Sequence, residues 1–111
     1  MILSKNDRKN ITQFKNEILA LVAERREANA YSTTIDRDAT FSLKGVAILN
    51  KYLDKIENKT MFKDIIFEWA RTMEENPDKL EPYIIHGMKS ISGALILYVS
   101  TGIKIEVNKG N

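Results

Sequence analysis

The stretch that decides the fold is SGALILYVSTGIKIEV, residues 92–107. It holds six consecutive apolar residues, then Ser-Thr-Gly, then a strict alternation of apolar and charged side chains. A short apolar run of this kind fits either a buried strand or the end of a buried helix, because both periodicities accommodate it. The choice determines whether the chain is a plain helical bundle or a bundle closed by a small sheet.

Two glycines and the β-branched and aromatic content of the stretch favour a β-hairpin. The preceding helix would stop at Gly93, and ALILYV would pair with IKIEV across a short turn containing Gly102. One face of that hairpin would carry Leu95, Leu97, Val99, Ile103, Ile105 and Val107.

The alternative is that the preceding helix continues through this stretch. Leu95 and Tyr98 would then extend its apolar stripe, Gly102 would cap it, and IKIEV would be a single strand. In both cases we expect IKIEV to require a covering segment or a second chain, since an isolated hairpin or strand is marginal in water.

Apolar residues at three- and four-residue spacing predict four helices before this stretch. The first should cover residues 5–28, the second should start between residues 40 and 44, the third should follow ENKT and end before Pro77, and the fourth should begin near Asp78. The expected N-terminal caps are Ser4 with Asp7, Ser42, Thr60, and Asp78 with Glu81. The expected fold is therefore mainly α: a four-helix bundle-like single domain over residues 1–111, closed by a C-terminal β-hairpin (α+β).

Composition restricts the class of protein. The chain has 111 residues, of which 43% are hydrophobic and 29% charged, and it has no cysteine, which excludes disulfides and thiolate metal sites. The N-terminal residues lack the apolar core of a signal peptide, and the longest apolar run is far below the ~20 residues that span a bilayer. We expect a soluble cytoplasmic protein without a membrane partner.

The sequence carries no pattern typical of an active site. His86 is the only histidine, and no metal-ligand spacing surrounds it. No phosphate-binding loop, dinucleotide-binding glycine motif or nucleophile elbow is present. We therefore expect a protein that is not an enzyme, with no catalytic residue, no cofactor and no metal.

Two apolar residues lie outside the buried stripes of their predicted helices. Phe67 falls roughly opposite Ile65 on the third helix, and Ile48 falls among the lysines of the second. In a small chain a second apolar face often indicates a second chain. The predicted partner-interface residues are Phe67, Ile48, Ile103, Ile105 and Val107. The function that we expect is that of a small interaction or regulatory (accessory) protein, acting as a homo-oligomer or as a subunit of a larger complex.

The alternative function is nucleic-acid binding through basic side chains. Spaced lysines on one helix face can neutralise phosphates, although the net charge is only +2. The residues of this alternative are a lysine face on the second helix (Lys44, Lys51, Lys55 and Lys59) and a basic edge on the first helix (Arg8, Lys15 and Arg26). The opposite edge of the first helix carries Glu17 and Glu24, so its apolar stripe has oppositely charged borders that could orient a protein partner.

Overall fold

A computed structural model describes residues 3–31, 39–76 and 80–107, and within these ranges the chain forms four α-helices. They are α1 (Lys5–Ala28), α2 (Thr40–Leu53), α3 (Lys59–Glu74) and α4 (Pro82–Thr101). α2 packs against both α1 and α4, and α4 also packs against α3. The prediction of a mainly helical, four-helix fold is confirmed.

The predicted C-terminal β-hairpin is wrong. Residues 82–101 form a single helix, and the described part of the chain contains no strand. The helix places Ile84, Met88, Ile91 and Leu95 on one face, and each of these side chains is at most 1% exposed. A hairpin starting after Gly93 would have divided this face. Burial of four large side chains in one stripe decides the choice that periodicity left open.

α4 ends where the alternative interpretation placed its cap. Gly102 has a left-handed backbone with φ of 76°, and its N–H donates to the Tyr98 carbonyl oxygen over 2.8 Å. Such a conformation favours glycine because it lacks a Cβ.

The segment IKIEV lies against α2 without regular secondary structure. Asn50 Nδ2 donates to the Ile105 carbonyl oxygen over 2.8 Å, and Lys104 Nζ contacts Asp54 Oδ2 at 2.9 Å. Val107 packs against the core, whereas Ile103 and Ile105 remain 57% and 42% exposed. Asn50 of α2 and Asp54, the residue after this helix, therefore hold the segment in place of the strand pairing that the sequence predicted.

The helix starts confirm one predicted cap and correct others. Ser4 Oγ accepts from the Asp7 amide over 3.0 Å, as predicted. α3 is capped by Asn58, whose side chain accepts from the Met61 amide over 3.1 Å, and not by Thr60. α2 begins at Thr40 without a side-chain cap, so Ser42 lies inside the helix and is not its cap. α4 begins at Pro82, and Glu81 occupies its N-cap position without making a side-chain cap bond. Asp78 and Pro77 lie outside the described residues.

Asp7 connects the first turn of α1 to the segment between α2 and α3. Its residue surface is 1% exposed, and its two carboxylate oxygens accept from the amides of Glu57 (2.9 Å) and Asn58 (3.0 Å). One turn further on, Asn10 Nδ2 donates to the Lys55 carbonyl oxygen over 3.2 Å. Polar side chains of α1 thus fix the α2–α3 connection, which positions α3 relative to the rest of the bundle.

Two glycines allow α2 and α4 to approach closely. A Cβ on Gly87 would lie 2.0 Å from Phe41 Cδ1, and a Cβ on Gly45 would lie 2.5 Å from Ile91 Cδ1. Each glycine therefore accommodates a large side chain of the other helix. The α2–α4 contact holds the buried face of α4 and leaves the opposite face available to form a surface with α3.

Candidate protein-interaction surface

α3 and α4 together carry two adjoining grooves on the exterior of the bundle. The larger encloses about 430 Å³ and the smaller about 300 Å³, and Phe67 and Ile96 line both. We call the residues lining these grooves the α3–α4 surface: Lys63, Asp64, Phe67, Ala70, Arg71 and Glu74 of α3, with Lys89, Ser92, Gly93, Ile96 and Ser100 of α4.

Helical spacing brings these residues onto one face of each helix. The members on α3 and on α4 recur mainly at three- and four-residue intervals, so they lie side by side along two neighbouring helices. Phe67 is 51% exposed and Ile96 is 38% exposed, whereas Ala70 and Ser92 are buried beneath them. The result is a floor of small residues between two large apolar side chains.

Sequence reasoning identified Phe67 but missed Ile96. In the predicted hairpin, Ile96 would lie on the sheet face opposite the one that carries Leu95 and Leu97. In the helix that forms instead, Ile96 lies three residues after Gly93, and it shares both grooves with Phe67. The spacing of Lys89, Gly93 and Ile96 is the signal that could have revealed it.

Charged side chains of both signs border the α3–α4 surface. Lys89 Nζ contacts Glu74 Oε1 at 2.8 Å, and Arg71 contacts Glu75 Oε1 at 2.5 Å as well as Glu68. The hydrogen bond from Arg71 lowers the pKa of Glu68 and, in return, raises the pKa of the guanidinium. These pairs are exposed and contribute little to stability, so they are available to exchange partners with an approaching charged surface.

A buried hydroxyl lies in the floor of the larger groove. Ser92 Oγ is inaccessible to solvent and has no hydrogen-bond partner among the described residues. Serine inside a helix commonly donates to the carbonyl four residues earlier, as Ser90 does to His86 over 3.2 Å. The floor of the groove therefore retains one unused polar group.

The other predicted interface residues lie elsewhere. Ile48 is partly buried against the core and lines a separate groove of about 390 Å³ between α1 and α2. Ile103, Ile105 and Val107 belong to the segment held by α2. Of the predicted residues, only Phe67 belongs to the α3–α4 surface.

Acidic residues of α1 compensate two lysines of the predicted nucleic-acid face. Lys44 Nζ contacts Glu24 Oε1 at 2.8 Å and Lys51 Nζ contacts Glu17 Oε1 at 2.6 Å. The hydrogen bond from Lys44 lowers the pKa of Glu24. Burial opposes a similar effect on Glu17, but hydrogen bonds from Lys51 and Tyr52 still lower its pKa. The acidic edge of α1 thus pairs with α2 of its own chain.

The remaining basic residues make contacts of several kinds, with a carboxylate, a backbone carbonyl oxygen or an aromatic ring. Lys55 follows the end of α2 and Lys59 is the first residue of α3, so neither lies on the second helix as predicted. Lys55 Nζ lies 5.2 Å from the ring centre of Tyr52, and Lys59 Nζ donates to the Ile56 carbonyl oxygen over 2.7 Å. On the basic edge of α1, Arg26 contacts Glu81 at 3.0 Å, Lys15 Nζ lies 5.5 Å from the ring centre of Trp69, and Arg8 is exposed.

Over residues 3–31, 39–76 and 80–107, no three His, Cys, Asp or Glu side chains group in a way that could hold a metal ion. His86 is exposed on α4. None of the helices in the same ranges combines the length and apolarity needed to cross a membrane.

Comparison of the chain with protein-family models, with curated proteins and with solved structures finds no match. Any functional assignment therefore depends on the residues of this chain.

Proposed function

We propose that this protein is a small non-enzymatic interaction protein that binds another protein through the α3–α4 surface. The observation that carries the proposal is the pair of exposed apolar side chains, Phe67 and Ile96, over a floor of small residues. Interfaces are organised in this way, with an aromatic or aliphatic anchor at the centre and a polar rim around it. An accessory or regulatory role follows from such binding.

Contiguity distinguishes this surface from ordinary surface hydrophobics. Single exposed apolar residues, such as Leu19 on α1 at 50% exposure, are common and carry no functional meaning. Phe67 and Ile96 line the same two grooves, so one partner side chain can contact both. Burial of apolar area stabilises a complex by about 25 cal/mol per Å² before the costs of association are subtracted.

The segment holding Ile103 and Ile105 offers a second, smaller contact. Both side chains are exposed although the backbone is held against α2. We assign it a supporting part in binding, because neither side chain lines the grooves of the α3–α4 surface.

Nucleic-acid binding remains the alternative function, and the ion pairs of Lys44 and Lys51 make it the weaker proposal. Binding to phosphates gains free energy by releasing counterions from the nucleic acid, and a lysine must leave its carboxylate to contribute. A titration with duplex DNA at increasing salt tests this alternative. Affinity that falls steeply with salt would support it, and the absence of binding at low salt would exclude it.

The interaction proposal is tested by affinity capture from a lysate of the source organism, with and without nuclease. Wild-type protein is compared with the double variant Phe67→Ser/Ile96→Ser and with Leu19→Ser, which alters an equally exposed apolar residue outside the surface. We expect a nuclease-resistant protein partner to be captured by wild type and Leu19→Ser and lost from the double variant. Equal capture by all three would contradict the assignment of the surface.

A further inference from the structure

We infer that the α3–α4 surface binds a second copy of this chain in a two-fold symmetric dimer. In this dimer α3 runs antiparallel to the partner's α3, and α4 runs antiparallel to the partner's α4. The inference rests on the proposed function, because it specifies the partner of the same surface. Two independent patterns, of size and of charge, lead to it.

The pattern on α3 is complementary to itself in the antiparallel direction. The midpoint between Phe67 and Ala70 is also the midpoint between Lys63 and Glu74. A two-fold axis at this level places Phe67 against the partner's Ala70 and Lys63 opposite the partner's Glu74. A large side chain then meets a small one, and a basic side chain meets an acidic one, twice in each dimer because the interface is isologous.

α4 repeats the size pattern. A two-fold axis midway between Gly93 and Ile96 places Ile96 against the partner's Gly93. A Cβ built on Gly93 would have no atom within 4 Å, so the space above this glycine is open. The exposed Ile96 side chain can fill that space in the partner.

One axis satisfies both helices, and this agreement carries the inference. Glu74 of α3 contacts Lys89 of α4 at 2.8 Å, so these two residues lie at similar levels along the neighbouring helices. The midpoint on α3, between Phe67 and Ala70, lies 5.5 residues before Glu74. The midpoint on α4, between Gly93 and Ile96, lies 5.5 residues after Lys89, which is the same separation. Because both helices rise about 1.5 Å per residue, the two midpoints are at about the same height. A partner of unrelated sequence would not require this coincidence.

Zero-length carbodiimide cross-linking of an equal mixture of unlabelled and ¹⁵N-labelled protein tests the arrangement directly. Lys63 and Glu74 are about 16 Å apart along one helix, so a cross-link between them must join two chains. We expect this cross-link in peptides of mixed isotope content. The cross-link between Lys89 and Glu74 of one chain serves as the internal positive control.

Sedimentation velocity over a range of concentrations measures the dimer itself. Only two large exposed apolar side chains, Phe67 and Ile96, lie at the centre of the surface, so we expect weak, concentration-dependent association. A chain that stays monomeric up to about 500 μM, well above the micromolar affinities of weak interfaces, would overturn the inference. So would a dimer that forms without the Lys63–Glu74 cross-link, or one that Phe67→Ser leaves unchanged.

Charge reversal tests the register. Lys63→Glu and Glu74→Lys each create two like-charge pairs across the interface. Glu74→Lys also places a lysine against Lys89 of its own chain, so it is combined with Lys89→Glu here and in the double variant. We expect each reversal to raise the dimer dissociation constant about tenfold. The double variant restores opposite charges and should return to within about threefold of wild type. Glu27→Lys, an exposed reversal on α1, controls for net charge. Failure of the double variant to recover would overturn the stated register.

The outcomes separate this inference from the proposed function. A monomeric protein whose lysate partner is lost with Phe67→Ser/Ile96→Ser would overturn the dimer and leave the function of the surface intact. A monomeric protein with no such partner would overturn both.

Discussion

Replacing Asp7 by alanine tests how much of the fold depends on one buried carboxylate. The two oxygens of Asp7 accept from the amides of Glu57 and Asn58, which lie 50 and 51 residues further along the chain. A hydrogen bond to a charged acceptor contributes about 1.5–3 kcal/mol. The variant loses two such bonds but also removes the cost of burying a charge, and the connector is partly exposed, so water can reach the freed amides.

We therefore take the lower end of the range and expect Asp7→Ala to lower the free energy of unfolding by about 3 kcal/mol. For a chain of this size, this corresponds to a fall in Tm of about 12 °C. Urea denaturation followed by circular dichroism gives the free energy, and native-state hydrogen exchange should show faster exchange of the Glu57 and Asn58 amides. Asp7→Asn keeps one acceptor oxygen but turns its NH2 group, a donor, towards the second backbone N–H. At least half of the loss in the free energy of unfolding should therefore remain.

Glu27→Ala is the matched control, because it removes an exposed carboxylate from the same helix. Its effect should stay within about 0.5 kcal/mol. A loss below about 1 kcal/mol for Asp7→Ala, with unchanged exchange at both amides, would refute the reasoning that this carboxylate fixes the α2–α3 connection.

Three further predictions concern two glycines and one tyrosine. Gly87→Ala should lower stability by about 1–3 kcal/mol in thermal melts, because its Cβ would lie 2.0 Å from the Phe41 ring. Gly93→Ala should raise monomer stability by about 0.5–1 kcal/mol, since the new methyl meets no atom and alanine favours the helix. Burial and the hydrogen bond to Glu17 raise the pKa of Tyr52 to about 12, so absorbance at high pH, with Tyr52→Phe subtracted, should show this hydroxyl titrating near pH 12. Because the folded-state pKa is the higher one, the associated stability is fully present below about pH 10 and is lost towards pH 12.

The sequence predicted α1 well because its signals are local and agree with one another. Ser4 forms the expected cap, and the helix has the expected bounds of residues 5 and 28. Asp7 was read as part of the same local motif, yet its carboxylate bonds to residues far along the chain. The spacing of residues within one helix does not reveal a hydrogen-bond partner in a distant segment of the chain, so the bonds between Asp7 and the α2–α3 connection could not be predicted.

The C-terminal region could not be settled from local signals because alternation and helical periodicity compete over a short apolar run. The burial of Ile91 and Leu95 against the bundle decides in favour of the helix. This burial can be recognised only when the positions of α2 and α3 are known. The same error hid Ile96, since only a helix brings it beside Phe67. Of the two apolar side chains at the centre of the α3–α4 surface, Phe67 could be predicted from the sequence, whereas the position of Ile96 depended on tertiary structure.

Gly93 gives the strongest argument that the α3–α4 surface has an occupant. Gly45 and Gly87 are explained by the large side chains that pack against them, and Gly102 is explained by its positive φ. Gly93 has a helical backbone, lies in an exposed helix interior and has open space where a Cβ would be. Glycine at such a position costs about 1 kcal/mol relative to alanine. No contact among the described residues offsets this cost, whereas a partner's Ile96 packed against the bare backbone would. Gly93→Ala should therefore stabilise the monomer and weaken the dimer, and a variant that strengthened both would remove this reason for an occupant.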